Sequence, residues 1–181
     1  MRPGFRVGLR RLEEGDAEAL HGAIGASRAS LKRRLRWVAS VSALEDCREF
    51  IRRSGCAAHR QEELVYGIFE PRGGLVGVAA LQNLLKTPGV AELSCWIRAE
   101  SRGKGCASGA GRLLIELAFR RDGLRRLYAR LEPSNRPARK VIQKLGFFYE
   151  GRLRQEKRLN GRWVDQECWG LLRSEWKKRG S

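Results

Sequence analysis

The sequence predicts a mixed α/β fold, organised as one domain over residues 1–181 around a mostly antiparallel sheet. Three observations predict it. Apolar runs of strand length recur from Glu63 to Ile97 with turn residues between them. A glycine-rich turn, Arg102-Gly103-Lys104-Gly105-Cys106-Ala107, leaves the last of these strands and opens a helical pattern. An Asn160-Gly161 pair separates two long segments, and Asn-Gly is the strongest short signal for a β-hairpin.

The elements follow in order. Phe5 to Leu12 alternates loosely and reads as a strand, and Asp16 starts a helix to about Ala26 with Ala19, Leu20, Ala23 and Ile24 on one face. Ser27 to Val41 is basic and poorly patterned, with Leu31, Leu35, Trp37 and Val38 as apolar anchors. Ser42-Ala43-Leu44-Glu45 has the form of a capping box, and its helix runs to about Arg53. Glu63–Glu70, Leu75–Leu85 and Val90–Ile97 form an antiparallel meander, turning at Pro71–Gly74 and Lys86–Gly89. The helix from Gly105 to Arg121 carries Leu113, Leu114, Leu117 and Ala118 as its apolar stripe and stops at Asp122-Gly123. Leu127–Leu131 is a strand parallel to Val90–Ile97, because a helical crossover separates them. Pro133-Ser134-Asn135 leads into a helix from Arg136 to Leu145, closed by Gly146, and Phe147–Leu159 with Arg162–Leu172 makes the final hairpin. The sum is about seven strands and four helices.

Composition narrows the function classes. An apolar fraction of 42% with 31% charged residues is ordinary for a soluble globular chain, and no run approaches a membrane span. Met1 to Arg11 is basic without a following apolar segment, so no secretory signal is expected. Cys47, Cys56, Cys95, Cys106 and Cys168 are scattered and never spaced as C-x-x-C, and only His21 and His59 accompany them. That pattern points to reduced thiols in a cytoplasmic protein and to no metal centre. The 37 basic against 20 acidic residues give a net charge of +17, which favours nucleic acid, a ribosomal surface or an acidic protein as partner, unless it reflects a genome-wide arginine bias.

The turn at 102–107 has the physics of an anion site. A helix start leaves N–H groups without intrahelical partners and carries the positive end of the dipole. Glycine at 103 and 105 removes Cβ atoms that would hold a phosphate off, and Arg102 and Lys104 add positive charge. A solvated basic turn is the competing reading.

With these elements in place the chain resembles the GCN5-related N-acetyltransferases, the GNAT superfamily, over nearly its whole length. Arg102–Ala107 fits that family's Gln/Arg-x-x-Gly-x-Gly/Ala loop, and Asn135 followed by Lys144-Leu145-Gly146-Phe147 fits its second block. Glu150-Gly151-Arg152-Leu153-Arg154 and the closing hairpin up to Trp176 resemble the ribosomal-protein (RimJ/RimL-type) branch. The resemblance implies acetyl-CoA as co-substrate. Its pyrophosphate would lie on the amides of Arg102, Gly103, Lys104, Gly105, Cys106 and Ala107. Its pantetheine would lie between two splayed parallel strands, bonded to backbone around Cys95, Trp96 and Ile97 and met from the other side by Asn135. An acceptor amine then attacks the thioester directly, so no cysteine is needed as nucleophile.

Glu92 is the one carboxylate within an otherwise apolar strand, on the face of Ser94 and Trp96, and is the candidate general base; the competing reading is a rim charge paired with an arginine. The chain departs from the family at the thiolate's proton donor: Ile142 stands where many members have Tyr, and Ala138 where others have Ser. Water, or Ser134, Tyr128 or Tyr149, remains for that role. The expected activity is acetylation of a primary amine, a protein N-terminus first and a small amine second. A weakly catalytic acetyl-CoA-binding module docked on RNA or ribosomes is the reading from another class. No membrane partner is expected, and the chain is read as a monomer or homodimer. Trp37 is the expected anchor of the acceptor wall, and a local pocket of Glu13, Glu14, Glu62 or Glu63 would reverse the electrostatic preference for acidic acceptors.

Overall fold

The computed structural model describes residues 6–35, 38, 40–120, 123–159 and 161–179; the expected hairpin residue Asn160, the helix stop at Asp122 and the anchor Trp37 lie outside them. Strands β1 (Gly8–Arg10), β2 (Leu64–Phe69), β3 (Leu75–Gln82), β4 (Val90–Ile97), β5 (Arg126–Leu131), β6 (Phe148–Leu159) and β7 (Arg162–Leu172) form one sheet in the order β1-β2-β3-β4-β5-β7-β6. Every pairing is antiparallel except β4 with β5. The right-handed crossover that a parallel pair requires is supplied by helix α3 (Cys106–Arg120).

Two apolar layers flank the sheet. One joins α3 and α4 (Arg136–Leu145) to Leu64, Leu81, Ala91, Leu93, Leu127 and Leu171. The other joins α1 (Ala17–Leu31) and α2 (Leu44–His59) to Val65, Phe69, Val78 and Ala80. Strand alternation therefore assigns each face: Ala91, Leu93 and Ile97 look towards α3, while Glu92, Ser94 and Trp96 look towards the α1–α2 side. Helices α1 and α2 pack over β2 and β3, so on that side Arg126, Tyr128 and Arg130 of β5 stay half-buried or exposed. The sheet thus has an open floor beside Glu92.

Several boundaries differ from the sequence expectation. Helix α1 continues to Leu31, five residues beyond Ala26, because Ser27 and Leu31 keep the buried face of Leu20, Ala23 and Ile24 in phase. Ala19 is exposed instead of sharing that face. Helix α2 is capped one residue later than a Ser42–Glu45 box would have it. Ala43 is the cap residue, and the Asp46 carboxylate accepts from the amides of Ser42 and Ala43, both at 2.7 Å. The stripe of α3 is also rotated. Ala110, Gly111, Leu114, Ile115, Ala118 and Phe119 are buried, with Leu113 and Leu117 at its margin. The cause is small-residue contact: a Cβ on Gly111 would lie 2.5 Å from Cδ1 of Leu145, so α3 and α4 touch through a glycine. A short C-terminal helix, α5 (Arg173–Arg179), follows β7.

Candidate active site

The parallel pair β4–β5 holds together only at its start. Val90, Ala91 and Glu92 pair with Arg126, Leu127 and Tyr128, and no pairing follows. Beyond Glu92, β4 still pairs with β3 as far as Ile97, and β5 still pairs with β7 as far as Leu131. The two strands therefore splay, and the β5-facing backbone of residues 93–97 has no strand partner. Buried amides and carbonyls without partners are costly, so this gap favours an extended polar chain that completes the ladder. Cys95 and Trp96 lie on this stretch of β4. The Ile97 carbonyl is already engaged by Nε of Arg102 at 3.1 Å, which limits its share in such a ladder.

At the open end of β4 the glycine-rich turn has the geometry its sequence implies. Gly103 and Gly105 have φ of 74° and 89°, a region that side-chain-bearing residues avoid. The amides of Gly103, Gly105, Cys106 and Ala107 make no backbone hydrogen bond among the described residues; the first amide to bond back is Gly109, to the Gly105 carbonyl at 2.9 Å. Those free N–H groups at the start of a fifteen-residue helix form the cradle. The Arg102 side chain points away from it, reaching Ser30 at 2.7 Å as well as Ile97, and so pins the turn to α1. Cys106 is buried beneath the cradle, and burial pushes its thiol up, so it is no activated thiolate.

Asn135 caps α4, its Oδ1 accepting from the Ala138 amide at 3.4 Å, while its Nδ2 makes no hydrogen bond among the described residues. The turn carrying it is braced from behind. Arg139 donates to the Pro133 carbonyl at 3.0 Å and to both carboxylate oxygens of the buried Glu167, at 2.6 and 3.0 Å. Trp169 Nε1 donates to the same carboxylate at 3.3 Å. Asn135 is thereby held just past the end of β5, with its Nδ2 unbonded among the described residues.

Glu92 stands at the last paired residue before the splay and makes no ion pair among the described residues. Its Oε2 accepts from Nδ2 of Asn83 at 2.9 Å, and the same Nδ2 lies 3.0 Å from the Tyr128 hydroxyl. Asn83 reaches both from a left-handed conformation at φ 60°, one of few open to a non-glycine residue. Burial and then the Glu92 charge push the Tyr128 phenol up, so it keeps its proton at neutral pH. Of the three substitute donors, Tyr128 is beside Glu92, whereas Tyr149 is half-exposed against Trp169 and Ser134 is exposed after β5. Ala138 and Ile142 lie on α4, with Ile142 in the core. Cys95 is exposed, and the protein packed around it pushes its thiol up. Asn83 was invisible to sequence reasoning, because nothing local links it to residues 9 and 45 positions away.

The acidic residues considered for the acceptor side do not gather into one pocket. Glu13 and Glu14 are exposed before α1, and Glu62 pairs with Arg60 at 2.8 Å. Glu63 alone joins the site's row, accepting from Gln82 at 2.8 Å, and Gln82 is the cross-strand neighbour of Glu92. Burial pushes the Glu63 carboxyl up. Past the end of β5 lies a cleft of about 480 Å³ lined by Arg33, Arg34, Glu132, Ser134, Leu159, Arg162 and Val164. A hollow of about 290 Å³ between α2 and the β1–β2 side touches neither β4 nor β5.

A splayed parallel pair beside a glycine turn that opens a helix leaves an unpaired strand edge and a row of free amides at one end of the sheet. The model of the family described as acetyltransferase (GNAT) domain matches residues 6–148, and the chain belongs to this family, in its RimJ/RimL-type branch. It is an acetyl-CoA-dependent N-acetyltransferase. A putative ribosomal N-acetyltransferase, YdaF of Bacillus subtilis (strain 168), is 32% identical over 94% of this chain and 93% of its own. RimJ of Mycobacterium smegmatis, solved in complex with CoA-disulfide, is 25% identical with a TM-score of 0.85, covering 93% of this chain and 83% of that one. A spermidine N(1)-acetyltransferase of Escherichia coli (strain K12) is 31% identical over 58% of this chain and 56% of its own.

Proposed function

We propose that the chain acetylates the α-amine of a protein N-terminus in the cytoplasm, with Glu92 as general base. The observation that carries this reading is the Glu92 carboxylate at the vertex of the splay, held by Asn83 and without an ion pair among the described residues. The residues fit the co-substrate: the cradle amides of 103–107 suit a pyrophosphate, the unpaired edge of 93–97 suits a pantetheine, and Asn135 Nδ2 offers a donor just past the end of β5. Bound there, acetyl-CoA supplies an activated acyl group, and its thiol, with a pKa near ~8.5, leaves without strong assistance.

The protein's own part is to orient, polarise and move a proton. An N–H on the β5-facing edge of β4 polarises the carbonyl oxygen as charge develops on it. Glu92 Oε1, not engaged by Asn83, takes the proton from the attacking amine directly or through one water. Tyr128, sharing Asn83 with Glu92, is the phenol placed to return a proton to the leaving thiolate. An α-amine has a pKa of ~7.7–8.0 against ~10.4 for lysine, so a single modest carboxylate suits the N-terminal amine. The end-to-end match to a putative ribosomal N-acetyltransferase supports the same acceptor class.

The test is a panel offered with acetyl-CoA: a peptide with a free N-terminus, the same peptide N-terminally blocked but carrying a lysine, and spermidine. Release of free CoA and a mass gain on the free N-terminus only are expected. Turnover of spermidine with no peptide product would replace this reading by a small-amine acetyltransferase.

A further inference from the structure

The site has a carboxylate at the start of the splay and, past the end of β5, a cleft rich in arginine. At the vertex, Glu92 and Glu63 stand in one cross-strand row with Gln82. The cleft, of about 480 Å³, gathers three arginines against one carboxylate, Glu132. Arg33 and Arg34 come from the turn just after α1, Glu132 and Ser134 from just after β5, and Leu159, Arg162 and Val164 from the tip of the β6–β7 hairpin. Three distant stretches of chain thus converge on the approach to the Asn135 turn.

Among the described residues the cations of this cleft outnumber its one carboxylate. Arg33, Arg34 and Arg162 form no ion pair among the described residues, whereas Arg10, Arg126, Arg130 and Arg139 each have a carboxylate. Arg34 adds a second observation: its Nε is buried with no hydrogen-bond partner among the described residues. A buried charged donor left unpaired is costly, and like charges brought together repel, so an anion bound in the cleft would relieve both. Guanidinium groups favour planar carboxylates, which they bind with two parallel hydrogen bonds. Ammonium groups are disfavoured there, which sets the cleft against a polyamine tail.

Resting on the N-terminal reading above, we propose that the acceptor is an acidic peptide N-terminus: its α-amine lies at Glu92 and its following Asp or Glu side chains lie against Arg33, Arg34 and Arg162. The polarity of the site, negative at the vertex and positive in the cleft, matches an amine followed by carboxylates and is the reverse of what a second ammonium needs. A cleft of this size, open beside the twelve-residue edge strand β6, has room for an extended chain.

The experiment compares kcat/KM for peptides sharing one N-terminal residue and differing at the next five positions, with Asp and Glu, with Asn and Gln, or with Lys. Wild type is expected to favour the acidic over the neutral peptide about tenfold, with the effect in KM and weakening as salt rises. The double variant Arg34→Gln/Arg162→Gln is expected to bring that ratio towards one, and Arg33→Glu to invert it. Because the ratio is internal to each protein, partial unfolding lowers both rates and leaves it in place. An unchanged ratio in the variants, a wild-type ratio of one, or stronger competition by a single-stranded RNA oligomer than by the acidic peptide overturns the proposal. If all peptides react at equal rates, only this inference fails; if none reacts and spermidine does, the N-terminal reading fails with it.

Discussion

Replacing Glu92 by Gln removes the proposed base while keeping the side chain's shape and its bond from Asn83 at 2.9 Å, since an amide oxygen can still accept from Nδ2. The size of the effect follows from the acceptor. General base catalysis contributes ~10²–10⁴-fold, and an α-amine of pKa ~7.8 is already about one-seventh free base at pH 7. The lower end applies, so kcat should fall ~100-fold at pH 7. The deficit should narrow above pH ~9, where the amine deprotonates unaided. Affinity for acetyl-CoA should stay the same, because the cradle at 103–107 and the edge at 93–97 do not involve the carboxylate. CoA release followed with a thiol reagent, beside calorimetric titration of acetyl-CoA, separates the two effects. A kcat within twofold of wild type, or a rate loss matched by lost acetyl-CoA affinity, would refute the reasoning.

Three further outcomes follow from the geometry. Gly105→Ala forces a Cβ onto φ 89°, costing about 1 kcal/mol, or ~2–4 °C in Tm; relaxing that strain moves the cradle amides, so acetyl-CoA should bind at least several-fold more weakly by calorimetry. Glu63→Gln should stabilise the protein at neutral pH. Burial pushes this carboxyl up, so its ionised form opposes folding above the unfolded pKa; the gain in Tm should vanish as pH falls below ~4, and a gain that persists there would contradict it. Asp16→Asn should cost about 1 kcal/mol at pH 7, small because the partner Arg10 is half-exposed. The Arg10 guanidinium holds Asp16 below the usual range, so its contribution is present above pH ~3.9 and lost as pH falls through the lower folded value; denaturant melts at pH 7 and below pH 3 check it.

The parts of the site set by local chemistry were legible before the structure. Strand β4 and helix α4 have the bounds their patterns imply, and the Gly103/Gly105 turn takes the left-handed conformations that only glycine adopts readily. The parallel pairing of β4 and β5 followed from chain connectivity. What could not be read depends on contacts between distant segments or on small residues. The α3 stripe was misphased because Ala110 and Gly111 carry little apolar weight, yet α4 packs on them. Helix α1 looked too short because Ser27 reads as a break, whereas it is buried and its hydroxyl accepts from the Ala99 amide at 2.8 Å. The part of Asn83 in joining Glu92 to Tyr128, and the arginine cleft, depend on residues distant in the chain, and no periodicity records such a meeting.

The most direct test of the central claim is mass spectrometry of products after the protein meets labelled acetyl-CoA and a lysate of its own cells, in parallel with Glu92→Gln. The account predicts label on protein α-amines, concentrated on acidic N-termini and nearly absent with the variant. Label confined to lysine side chains or small polyamines, or undiminished by the variant, would contradict it.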